Sequence, residues 1–430
     1  MAAHRTSAKT APRRDAAPAA FGVPIPHCRL CAGPVRPLFS LGILASCGAF
    51  PRKGEADPPA GPLDMGQCAA CGLVQLQHDF ALESLFRGGY GYRSGLNESM
   101  IGHLAGIAEA AARRVGLAAG ETVLDIGSND GTLLSCYPAG VRLVGMDPTS
   151  ARFAAFYPAG ALRAADFFTA AGFAALAPGA QARIVTSIAM LYDLPDPNAF
   201  AADVAGVLAP DGVWITEQSY LPTMLARNAF DTICHEHLEY YGLAQIERLA
   251  ARHGLRVIDA RLNDVNGGSF QVWIAHDRAP YATNTAALET LHAQEAGLAA
   301  GEGGALAAFH ARLQQARINT IGFLARQRAA GRVVHGYGAS TKGNTLLQCL
   351  GVGPDLLPAI ADRNPEKWGA VTPGSRIPII SEEDSRAARP DYYLALPWHF
   401  RDAFLARETG FLARGGRFVF PLPEFEIVSA

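Results

Sequence analysis

The chain has 430 residues, enough for two or three domains, and its 49% hydrophobic and 18% charged content suits domains with sizeable cores. A formal net charge of -2 gives no bulk attraction to nucleic acid or to an anionic membrane surface, so neither is an expected partner. No apolar run approaches the roughly eighteen residues that a membrane span needs.

Residues 1–20 are rich in Ala, Pro, Arg and Ser and lack the apolar centre of a signal peptide, which predicts a disordered leader in a cytoplasmic protein. Residues 21–84 are loop-rich and carry two knuckles, Cys28-x-x-Cys31 and Cys68-x-x-Cys71. Each knuckle offers two thiolates one turn apart, so together they predict a tetrahedral structural zinc site. Cys47 is a competing ligand without a CxxC partner. A zinc ribbon that binds nucleic acid is the alternative use of such a domain.

Alternating helices and strands are expected over residues 85–300. "SMIGHLAGIAEAAARRVG" (99–116) reads as an amphipathic helix ended by Gly116. The runs "TVLDIG", "RLVGMD", "RIVTSI", "GVWITE", "LRVIDA" and "SFQVWIA" read as buried strands. Together they predict an α/β, Rossmann-like core. Residues 301–330 read as a helical connector. A second α/β unit is expected over 331–430, with strands in "RVVHGYGAS", "LLPAIAD", "IPII", "DYYLALP" and "RFVFPLP".

Within the core, "VLDIGSNDGTLL" (123–134) ends a strand at Asp125 and turns through Gly127, Asn129 and Gly131. The pattern D-x-G-x-x-x-G lacks the G-x-G-x-x-G of dinucleotide folds, which sets a helix against a pyrophosphate. A loop that admits a ligand closely without requiring a phosphate suits S-adenosylmethionine. Asp147, at the end of the next strand, is placed for ribose hydroxyls. Asp166 and Phe167 follow the third strand, where an acid and an aromatic ring can meet an adenine; ordinary strand-end roles are the alternative.

Three further segments carry chemistry. "RGGYGYRSGLNESM" (87–100) offers Tyr90 and Tyr92 on a glycine-rich stretch, and "NDVNGGSF" (263–270) is a glycine-rich turn before a strand. "HGYGASTKGNT" (335–345) opens a helix with Ser340, Thr341, Lys342 and Asn344, a candidate anion cradle for a diphosphate. Bound NAD(P) is its alternative, with Asp362 at the next strand end as a ribose ligand.

With the two CxxC pairs, "VLDIGSNDGTLL", "FDTICHEHLEYY", "VNGGSFQVW" and "GYGASTKGNTLLQ" in this order, the chain from residue 25 onward resembles the SAM-dependent C-methyltransferases of nucleotide-linked 4-keto-deoxysugars. The resemblance implies a zinc-binding N-terminal domain, a methyltransferase core and a C-terminal α/β domain that helps hold the nucleotide. It also implies a histidine base in the HEH motif, assisted by tyrosine and glutamate. The position before HEH is often tyrosine in that family and is Cys234 here, so one hydroxyl contact is absent or comes from elsewhere.

Carbon methylation beside a ketone needs removal of an α-proton, and histidine titrates in the right range to do so. His237 is the expected base, with Glu236 and Tyr92 assisting and His235 as the fallback. In an extended segment His235 and His237 would share one face and Glu236 the other. The i, i+2 spacing lacks the i, i+4 separation that chelates a metal on a helix. O- or N-methylation of a similar substrate, and a combined methyltransferase and ketoreductase, are the competing activities. A monomer is compatible with the sequence.

Overall fold

The computed structural model describes residues 21–87, 92–296 and 304–430; the leader expected over 1–20 and the candidate Tyr90 lie outside them. The central sheet has seven strands, in the order Leu255–Asn263, Ser269–His276, Leu208–Ser219, Ala182–Ile188, Thr122–Ile126, Arg142–Met146 and Leu162–Ala164. The last five run parallel, and Ser269–His276 pairs antiparallel to both of its neighbours. Thr122–Ile126 is buried at every position, as a parallel strand covered on both faces must be. From it the chain steps outward through two strands and then crosses back to Ala182–Ile188. That reversal opens a crevice at the strands' C-terminal ends, where such sheets bind ligands.

The helix expected at 99–116 spans Glu98–Val115. Asn97 caps it through the Ser99 amide, and Gly116 ends it in the left-handed region at φ 63°. Met100, Leu104, Ile107, Ala111 and Val115 recur every three or four residues and form its buried face.

A second sheet orders Ile379–Ser381, Ile360–Asp362, Val334–Tyr337, Tyr392–Ala395 and Arg417–Phe420 in parallel, with Glu426–Val428 antiparallel at the edge. Helix Thr341–Leu350 leaves the end of Val334–Tyr337. The connector is helix Ala305–Ala329. The preceding helix, Thr285–Glu295, serves the central domain instead: Glu295 accepts the amides of Leu243 and Ala244 at 2.5 and 3.1 Å.

The third sheet joins the parts of the chain. It runs Glu239–Tyr240, Val74–Leu76, Ala60–Cys68 and Val35–Ala45, all antiparallel, so the N-terminal domain takes its fourth strand from the segment just after His237. Leu63, Met65 and Leu76 share one continuous core with Phe230, Ile233, Leu238, Leu346 and Trp398. The loop after Ala45 also reaches the C-terminal domain, where Arg52 Nη1 donates to the Trp368 carbonyl at 2.8 Å and Asp57 pairs with Arg376 at 3.1 Å. Among the described residues, no helix is long and apolar enough to cross a membrane.

Candidate active site

The sulfurs of Cys28, Cys31, Cys68 and Cys71 lie within 4.8 Å of one another, with 3.5 Å between Cys28 and Cys71 and between Cys31 and Cys68. A tetrahedron of metal–sulfur bonds of about 2.3 Å sets its sulfurs about 3.8 Å apart, so the cluster fits zinc. Each knuckle closes as a turn, with the Ala32 amide on the Cys28 carbonyl and the Gly72 amide on the Cys68 carbonyl. A Cβ at Gly33 would lie 3.2 Å from both Cys31 Sγ and Cys68 Sγ, so only glycine leaves the sulfurs their room. Four thiolates leave no open coordination position, which makes this a scaffold rather than a reaction centre. Cys47 is remote from the cluster, buried against Thr345.

The crevice of the central sheet widens into a cavity of about 270 Å³. One wall is the loop expected to bind the donor: Asp125, Gly127, Asn129 and Asp147 line it, and so does Phe167. Gly127 and Gly131 adopt φ of 72° and 76°, a region closed to most side chains. Asp147 accepts the Asn129 amide at 2.9 Å and the Thr149 amide at 2.6 Å, which fixes the loop against the neighbouring strand end. Asn129 in turn holds the Tyr92 segment, since its Nδ2 donates to the Tyr92 carbonyl and its Oδ1 accepts the Ser94 amide. Asp125 is buried and accepts the Thr186 hydroxyl at 2.6 Å. Burial pushes its carboxyl up to about 7, against the pull of that hydroxyl and with help from the Asp147 charge. Gly131 packs against Tyr157 and does not line the cavity. Asp166 also stays outside it, exposed, with its carboxylate on the Phe167 amide.

The opposite wall comes from "TICHEHLEYY", and its geometry differs from the extended segment expected. Residues 234–237 form a turn, closed by the His237 amide on the Cys234 carbonyl at 3.2 Å. A turn does not alternate its side chains as a strand does, so His235 and His237 do not share a face. His235 points into the N-terminal domain, fully buried between Phe21 and Phe80, with Nε2 donating to the Gly61 carbonyl at 3.1 Å. Cys234, Glu236 and His237 face the cavity.

His237 is half-buried, and its Nδ1 donates to the Thr232 carbonyl at 2.7 Å, which fixes the tautomer with Nε2 free of the proton. The Tyr192 ring meets it edge-on, centroids 4.3 Å apart. Burial holds its imidazole down to about 4, opposed by the Thr232 carbonyl and reinforced by the Lys342 charge. Among the described residues, neither carboxyl oxygen of buried Glu236 has a partner of good hydrogen-bond geometry, although the Cys234 thiol and the Gly48 amide approach it. Burial raises its pKa.

The cradle expected at 340–344 is only partly assembled. Thr341 and Lys342 line the cavity. Ser340 caps its own helix by accepting the Gly343 amide at 3.0 Å. Asn344 is turned away and fully buried, its Nδ2 donating to the Cys47 carbonyl at 2.8 Å, because the loop after Ala45 packs there. Asp362, considered for a ribose, accepts the Ala339 amide at 2.7 Å and the Asn364 amide at 2.7 Å.

Four acids went unread in the sequence. Asp193 lines the cavity, buried, with Oδ1 unpartnered among the described residues; burial raises its pKa, and the Glu236 and Glu239 charges add to the effect. Glu217 lines it too, pairing with His103 Nε2 at 2.7 Å and accepting Gln271 Nε2 at 3.0 Å. Asp231 and Glu239, which flank the HEH turn in the chain, are buried. The available signal was position: Glu217 sits near the C-terminal end of one buried parallel strand, and Asp193 follows the end of another.

Comparison with known proteins fits this three-part layout. Residues 28–86 match the family described as "Putative zinc binding domain", 97–260 match "Methyltransferase domain", and 264–423 match "C-methyltransferase C-terminal domain". Over 414 residues the chain is 34% identical to the C-methyltransferase NovU of Streptomyces niveus, spanning 95% of this chain and 98% of that one. The chain belongs to this C-methyltransferase family. It is a methyltransferase whose donor is S-adenosylmethionine and whose N-terminal domain is a zinc domain. Solved structures of methyltransferases overlap part of it. The plantazolicin methyltransferase BpumL does so with a TM-score of 0.33 and 11% identity, over 41% of this chain and 84% of that one. The magnesium protoporphyrin IX methyltransferase ChlM of Synechocystis PCC 6803 gives 0.30 and 16%, over 42% and 82%.

Proposed function

We propose that the enzyme methylates a ring carbon beside the ketone of a nucleotide-linked 4-keto-deoxysugar, through an enolate. The observation that carries this reading is His237: its Nδ1 is committed to Thr232, and its unprotonated Nε2 shares a cavity with the donor loop. S-adenosylmethionine supplies an electrophilic methyl group. The chain must therefore make a carbon nucleophile and aim it.

His237 Nε2 takes the α-proton, and the electron pair of the broken C–H bond moves toward the ketone. The Thr232 carbonyl, accepting from Nδ1, stabilises the imidazolium that forms. Glu236, with uncommitted oxygens in a buried wall, takes hydrogen bonds from sugar hydroxyls. Tyr92, tethered through Asn129 to the donor loop, closes the other side and assists. The 331–430 domain brings Thr341 and Lys342 to the wall over the substrate. Holding the carbon against the donor methyl is the main task left, since the transfer itself is a simple displacement.

The same reading takes the enzyme as a cytoplasmic monomer. The test is deuterium wash-in with dTDP- and UDP-linked 4-keto-6-deoxyglucose in heavy water, without a methyl donor. Exchange at a carbon next to the ketone is the expected result. Methylation of either sugar without any such exchange would favour an oxygen or nitrogen acceptor instead.

A further inference from the structure

We propose that Lys342 is a catalytic electrophile whose ammonium binds the substrate's ketone oxygen and stabilises the enolate, rather than a ligand of the diphosphate. The assignment rests on the enolate reading of the same cavity.

Lys342 comes from the C-terminal domain, yet it lines the cavity that holds His237 and the donor loop. Its Nζ donates to the Asn266 carbonyl at 2.5 Å, at the tip of the turn between the two antiparallel strands of the central sheet. An ammonium has three donors, so this bond anchors it and leaves two for a ligand. Its charge reaches His237 and His399; burial lowers the pKa of the ammonium itself, opposed by the nearby charge of Asp231. Asp231 is fully buried; Oδ2 accepts Trp398 Nε1 at 2.9 Å, and Oδ1 has no hydrogen-bond partner among the described residues. Asp231 thus already opposes the cost of burying the cation, without a phosphate.

The carbon that loses its proton is bonded to the carbonyl carbon, so a cation beside the base stands beside the ketone oxygen. The diphosphate hangs from the anomeric carbon, at another corner of the ring. Of the other groups expected to hold it, Ser340 is committed to its helix and Asn344 to Cys47, which leaves Thr341 on the wall.

The step balances. His237 Nε2 gains the α-proton, the C–H pair becomes a carbon–carbon double bond, and the carbonyl π pair moves to oxygen, where Lys342 N–H groups meet it. The pair then returns through carbon to form the C–CH3 bond as the C–S bond breaks, and S-adenosylhomocysteine leaves. Lys342 stays an ammonium throughout.

The experiment measures α-proton exchange in heavy water and, separately, binding of dTDP and UDP, for wild type, Lys342→Met, Lys342→Gln and Lys342→Arg. Loss of one oxyanion donor predicts that exchange at saturating keto-sugar falls about 10²–10³-fold in the Met and Gln variants. Nucleoside diphosphate affinity should stay within about twofold of wild type. Arg keeps the charge but moves it, so its exchange should fall by about tenfold or more with diphosphate binding retained; this variant decides if the neutral ones do not fold. A tenfold loss of diphosphate affinity with exchange preserved would overturn the assignment and return Lys342 to the phosphates. Wild type that exchanges no α-proton would overturn the parent reading as well, which is a different result from exchange that survives Lys342→Met.

Discussion

The Leu76 amide donates to the Leu238 carbonyl at 2.9 Å, so the residue that follows His237 is held by the zinc domain's own sheet. Arg29, one residue past a zinc ligand, reinforces the link by donating to the Leu76 carbonyl at 2.6 Å and lying 3.7 Å from Glu239. The metal therefore bears on the wall of the cavity without touching the reaction.

Removing zinc should damage chemistry more than donor binding. With Cys68→Ser, or after chelation, α-proton exchange is expected to fall by about tenfold or more, because a small metal domain folds with its ion. Affinity for S-adenosylmethionine, whose loop rests on the seven-stranded sheet, should change by less than about threefold. Isothermal titration and exchange on the same samples check this; equal losses in both would contradict it.

Replacing the proposed base should separate binding from proton transfer. His237→Asn and His237→Ala are expected to lower exchange and methylation by about 10²–10⁴-fold, the range for a positioned general base. Donor affinity should remain near that of the unaltered enzyme. His235→Asn should instead lower thermal stability, because His235 is packed between Phe21 and Phe80 and bonded to Gly61.

The acid limb of the pH–rate profile should sit low. A free imidazole titrates near 6.5, whereas burial and the Lys342 charge hold His237 down to about 4. A lowered pKa keeps the neutral, proton-accepting form populated as pH falls, so kcat/KM should decline only as pH approaches about 4. A decline centred at 6.5 would show an imidazole more solvated than the cavity allows.

Gly127→Ala forces a side chain to φ 72° and brings a Cβ to 3.1 Å from Met190. About 1–2 kcal/mol of strain is expected, which appears as about a tenfold weaker donor Kd if the loop relaxes away from the ligand. Titration with S-adenosylhomocysteine measures it.

Asn344→Ala distinguishes a structural amide from a substrate ligand. Losing the bond to the Cys47 carbonyl should cost about 1–3 kcal/mol, the penalty for a bare buried acceptor. Denaturant midpoints should show that loss, while KM for the keto-sugar nucleotide stays unchanged.

Features set by a residue and its immediate neighbours were legible in the sequence. The CxxC knuckles, the glycines at positive φ after Thr122–Ile126 and the helix ended by Gly116 each follow from local geometry. The shape of "TICHEHLEYY" was not legible. Its turn is imposed by pairing of Glu239 with Gln75, 164 positions earlier, and period-two reasoning cannot register a partner so remote. Asn344 was misread for the same reason: its partner Cys47 belongs to a loop nearly 300 residues away. Asp193 and Glu217 lacked any flanking motif, so only their place beside the parallel strands marked them.

The shared ladder also limits how relatives of this enzyme can be recombined. A chimera joined near residue 84, where composition changes, would keep Val74–Leu76 from one parent and graft Glu239–Tyr240 from another onto it. Such hybrids should express poorly unless residues 232–241 travel with the donor of residues 28–76. The heritable unit for exchanging acceptor preference is thus discontinuous in the gene.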